Sequence, residues 1–159
     1  MVMPDSILVV ADTADAAAVL ELCQHQGLEG LHGKHTTCAL PFDPEGLELE
    51  TLAREVLGFP RDGSLALPAP LAAGEHEGPW VVPLSAELRH IAAQLQPAAL
   101  DEVAARWQAA YLEHAPSSLH STWKPAGFRA QLRQFLDQLV QARDAAAASR
   151  KVLLVVTEL

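Results

Sequence analysis

Apolar positions along this chain follow two rhythms, and each marks a different kind of element. Ser6 to Ala11 (SILVVA) is a β-branched run closed by polar residues, the pattern of a buried strand. Lys151 to Thr157 (KVLLVVT) repeats that pattern near the other end, and its consecutive apolar residues predict cover on both faces of a sheet. Cys38 to Leu40 and Trp80 to Leu84 read as shorter strands. Leu65 to Leu67 reads as an edge strand inside a stretch rich in Pro and Gly.

The helical rhythm appears five times. Ala16, Val19, Leu20 and Cys23 form the first stripe, with Asp12 or Thr13 as cap, Asp15 in the first turn, and Gly27 or Gly30 as the stop. Leu49, Leu52, Ala53 and Val56 form the second, opened by Asp43, Pro44 and Glu45 and closed by Gly58 and Pro60. Ser85 caps a third helix with Leu88, Ile91, Ala92 and Leu95 inward. Pro97 starts a fourth with Leu100, Val103, Ala104, Trp107 and Tyr111. Pro125 opens the longest, striped by Phe128, Leu132, Phe135, Leu136, Leu139 and Val140 to about Ala147. The expected fold class is α+β: about five helices around a small sheet that includes the N- and C-terminal strands. Length predicts a single domain over 1–159 with a flexible Pro/Gly-rich loop at 61–79.

Composition narrows the function classes. Half of the 159 residues are hydrophobic and 19% charged, which excludes an intrinsically disordered chain. No apolar run approaches the roughly 20 residues that cross a bilayer, so no membrane partner is expected. The first residues lack the basic region of a secretory signal, and Cys23 and Cys38 make no disulfide framework, so a cytoplasmic protein with free thiols is expected. Up to Pro60 ten Asp and Glu face only Lys34 and Arg54, so most of the net charge of −9 lies in that part. Such a distribution argues against nucleic acid, whose phosphates require clustered Lys and Arg.

Candidate chemistry is sparse. Cys23, His25, His32, His35 and Cys38 crowd one stretch, and His32, His35 and Cys38 are the set that could hold zinc. Cys23 lies on an apolar helix stripe while His25 points elsewhere, so no metal and no cofactor are expected. Cys38 with His35 or His32 could form a nucleophile and base, but no signature surrounds the thiol and no catalytic residue is assigned. Glycine-rich phosphate loops are missing from the sequence. Trp107 belongs to a core stripe and Trp123 can staple the last helix. Trp80, at a strand start after the Pro/Gly-rich stretch, is the aromatic expected to meet a ligand or partner.

The second half resembles the YfbM-like family of uncharacterised bacterial proteins. GPWVVPLSAELRHIAAQL is similar to a family strand and helix, ALDEVAARWQAAY to the next helix, and FRAQLRQFLDQLVQARDAAAASRKVLLVV to a closing helix and strand. DPEGLELETLAREVLG is similar to an early family segment. The resemblance carries no catalytic residues. The leading expectation is therefore a protein-binding module of the immunity or antitoxin kind, using an acidic face with Glu48 and Glu55 against a basic protein, or a second copy of itself as a homodimer. The alternative is a small hydrolase or metal-binding protein that uses the His/Cys loop at 23–38.

Overall fold

The computed structural model describes residues 5–44, 46–60, 68–75, 78–114 and 125–158. Among the described residues five strands form one antiparallel sheet: β1 Asp5–Ala11, β2 Thr37–Leu40, β3 Ala72–Ala73, β4 Trp80–Pro83 and β5 Val152–Glu158, in the order β2-β1-β5-β4-β3. The terminal strands are thus neighbours at the centre, in a register that sets Leu8 against Val155 and Val10 against Leu153. Neither strand's composition could disclose that pairing, because any apolar run satisfies any other.

Strand alternation assigns the two faces. Ile7, Val9, Leu154 and Val156 pack with Val81 beneath α1 (Ala16–His32), whose Ala16, Val19, Cys23 and Leu31 are buried. Leu8, Val10, Leu153 and Val155 point the other way, into the larger core formed by four helices: α2 Leu47–Thr51, α3 Ala86–Gln94, α4 Leu100–His114 and α5 Pro125–Ser149. The α+β architecture, with five helices among the described residues around a sheet holding both terminal strands, is therefore observed, with cover on both faces of β5.

Helix boundaries depart from expectation in instructive ways. The helix that opens at Ala16 ends at Gly27, the first of the two stops expected from the sequence, and a further helical turn follows within α1. α1 breaks at Gly27 (φ 68°, ψ −174°) and resumes to His32, because Leu31 is wholly buried against the sheet and holds the last turn down. No side chain caps its start. A 3-10 turn at Thr13–Asp15 leads in, with Asp15 N–H donating to the Asp12 carbonyl. α2 begins at Leu47 rather than at Pro44, since the Asp43 carbonyl accepts from Gly46 N–H in a turn that precedes it. Beyond Thr51 the chain widens into a π turn, Leu52–Val56, where Leu57 N–H reaches back to the Leu52 carbonyl. Ser85 does cap α3, accepting from Leu88 N–H at 3.2 Å. The β4 strand ends at Pro83, one residue short of expectation. Ala72–Ala73, read from sequence as loop, supplies the edge strand. The strand expected at Leu65 to Leu67, the first-turn acid Glu45 and the staple Trp123 lie outside the described residues.

One junction carries strain. α5 closes with Arg150 at φ 56°, its N–H on the Ala147 carbonyl and Lys151 N–H on the Ala146 carbonyl, the paired bonds of a Schellman ending. A side chain in that left-handed region is disfavoured and glycine is not. Arg150→Gly is expected to stabilise the protein by roughly 0.5–1 kcal/mol. That would appear as a higher urea midpoint at unchanged m-value; an unaltered or lower midpoint would contradict the strain.

Candidate functional site

The His/Cys stretch does not converge. Cys23 sits under α1 on one face of the sheet, while Cys38 sits in the four-helix core on the other. Thr37 and Cys38 are adjacent in β2 and so point to opposite faces. His32 Nδ1 contacts Thr37 Oγ1, which places that imidazole away from Cys38. His25 is exposed and its Nε2 stands 3.9 Å from Glu21 Oε1. Burial pushes the Cys38 thiol up to about 12, and burial with the Glu158 carboxylate beside it pushes Cys23 up to about 11. Both remain thiols at neutral pH, unsuited to nucleophilic attack or metal ligation. Among the described residues, no group of three or more His, Cys, Asp or Glu is placed to hold a metal ion, and neither cysteine hydrogen-bonds a histidine.

Glu48 and Glu55 share a direction, towards α4. The Glu48 carbonyl accepts from Trp107 Nε1 at 2.8 Å, and burial, with the Glu48 carboxylate nearby, raises the Tyr111 hydroxyl above its ordinary value. Glu55 Oε2 lies 3.8 Å from His114 Nε2. Trp107 is fully buried, edge-on to Phe42 and Phe135, as its stripe predicts. Trp80 is half-buried at the head of β4, with its ring laid over Gly78 (φ 101°). A Cβ at that glycine would come within 2.7 Å of the indole.

A second group gathers where the π turn meets α3. Glu87, in the first turn of α3, is 1% exposed, and its Oε1 has no hydrogen-bond partner among the described residues. Burial, reinforced by the neighbouring Glu50 carboxylate and opposed by Arg54, pushes its carboxyl up to about 7.

The feature with the dimensions of a binding site lies at the opposite side of α3. Pro83 at the end of β4, Leu84 after it, Ala92 and Ala93 on α3, Ala146 and Ala147 near the end of α5, and the first residues of β5 enclose a cleft of about 590 Å³. Small-molecule sites typically span roughly 300–1,000 Å³ with mostly apolar walls and few polar groups. The alanines make the space, because two helices that meet through single methyl groups leave room that larger side chains would fill. Arg143 fixes the wall. Its Nη1 donates to the Ala92 carbonyl at 2.9 Å and to the Leu95 carbonyl at 2.6 Å, tying the end of α3 to α5 and satisfying carbonyls that the helix leaves open. Val152, 45% exposed, stands at the mouth.

No family model, curated protein or solved structure matches this chain. Function is therefore read from geometry alone. The cleft residues Arg89, Arg143 and Lys151 escaped the sequence reading. The signal was the alanine run DAAAAS between Arg143 and Arg150, a stretch too small to fill a helical stripe. Which helix faced that run depended on tertiary packing.

Proposed function

We propose that this protein is a small-ligand-binding module and that the cleft between α3, the end of α5 and the adjoining ends of β4 and β5 is its binding site. The cleft itself carries this reading: its volume falls within the range of ligand sites, its walls are chiefly alanine, valine, leucine and proline, and Arg143 holds it open through bonds to α3 backbone. A catalytic reading has less support, since the described thiols are buried, protonated and separated by the sheet. Docking of a basic protein rests on the acidic charge of the first 60 residues, and Glu48 and Glu55 both face α4.

The test uses an uncharged solvatochromic dye, N-phenyl-1-naphthylamine, and a variant that fills the cleft from its exposed rim. Wild type is expected to bind one dye per chain with a blue-shifted emission. Ala147→Trp, at an exposed position of α5, should keep the melting temperature and weaken binding at least tenfold. A wild type that leaves the dye in water, or a folded Ala147→Trp variant with unaltered affinity, would remove the cleft as the site.

A further inference from the structure

Charge at the cleft is at odds with charge on the molecule. The chain carries a net −9, yet the ionisable side chains that line the cleft are all cationic: Arg89 on α3, Arg143 on α5 and Lys151 before β5. Several cations elsewhere are used internally. Arg133 pairs with Asp101 and Asp137, Arg129 bonds Gln108, Arg106 bonds the Val56 carbonyl, and Arg54 lies beside Glu50. Arg143 is likewise committed, to the Ala92 and Leu95 carbonyls and to Asp144. Arg89 and Lys151 have no side-chain hydrogen bond or ion pair among the described residues; Lys34 and Arg150 share that property but do not line the cleft.

We propose that the ligand of this cleft is an amphipathic monocarboxylate, with its aliphatic or aromatic body against the alanine walls and its carboxylate between Arg89 and Lys151. This inference rests on the binding reading given above and adds the class of ligand. An apolar body gains by leaving water for the alanine, leucine and valine surface. The carboxylate gains charge-assisted hydrogen bonds from two cations that need no other contact broken first. A second carboxylate at the far end of the body would lie against the apolar wall, which is costly. Arg143 positions α3, with its Nη1 on the Ala92 and Leu95 carbonyls and its Nε on Asp144.

Calorimetric titration of the full chain with octanoate and with 1-octanol at pH 7.5 decides the matter, since the two differ only in the head. Octanoate is expected to bind at least tenfold more tightly, and rising salt should weaken it and leave octanol unchanged. Arg89→Gln with Lys151→Gln, both at exposed positions, should keep the melting temperature and erase the octanoate advantage while retaining octanol. Equal affinity for the two compounds in wild type would overturn the carboxylate assignment and leave the cleft as an apolar site. An octanoate preference undiminished in the folded double variant would also overturn it. Binding of neither compound overturns it too, and the neutral dye then tells whether the cleft itself has failed.

Discussion

Leu136→Asp is expected to yield no soluble folded protein. Leu136 is wholly buried midway along α5, whose inward stripe lies across β1, β2 and β5 and packs against α4. An aspartate there forfeits the packing of the leucine side chain and sets a carboxyl among apolar neighbours. In that setting it must either remain charged without a partner or take up a proton against its usual preference. The combined cost is on the order of 4–5 kcal/mol or more, comparable with the whole stability of a domain this size, about 5–15 kcal/mol. Gln141→Asp, five residues on and exposed, puts the same group on the same helix and should fold normally. Circular dichroism and the soluble fraction of both variants report the outcome. Equal stability would mean that the stripe does not form the core.

Periodicity made the helices and central strands legible, because burial imposes it directly. Phe128, Leu132, Phe135, Leu136 and Leu139 repeat as one face of a helix, and all are buried. Ser85 before Leu88 reads as a cap for an equally local reason, since the hydroxyl needs only the N–H three residues ahead. Features set by distant partners were not legible. Gly27 reads as a terminus and the helix does break there, but the further turn that Leu31 anchors beyond it was not legible. Leu52–Val56 looked like plain α-helix, but the chain widens there, with Phe59 N–H on the Ala53 carbonyl. The His/Cys cluster failed in the same way: sixteen residues of sequence contain a crossing from one face of the sheet to the other. The cleft was hidden because it is a property of a junction. Ala92 and Ala146 are unremarkable stripe residues until α3 and α5 meet.

The second large effect concerns Glu87 and the dependence of stability on pH. Its carboxyl is buried beside Glu50, with Arg54 and the α3 N-terminus acting in the opposite sense, and the balance raises it from about 4.5 to about 7. The folded protein therefore binds a proton at Glu87 that the unfolded chain releases, over the window between those two values. Stability is greatest at or below the lower one, declines as pH rises, and has lost the full contribution above the higher one. The decline approaches about 1.4 kcal/mol per pH unit at its steepest and totals roughly 2–4 kcal/mol. Glu87→Gln removes the titrating group. Relative to wild type, its stability should rise steadily from pH 5 to pH 8 by about that total. Any constant cost of housing the amide cancels in the slope. Urea denaturation at unit intervals of pH measures the difference, and two parallel curves would show that Glu87 ionises at the same pH in folded and unfolded chains.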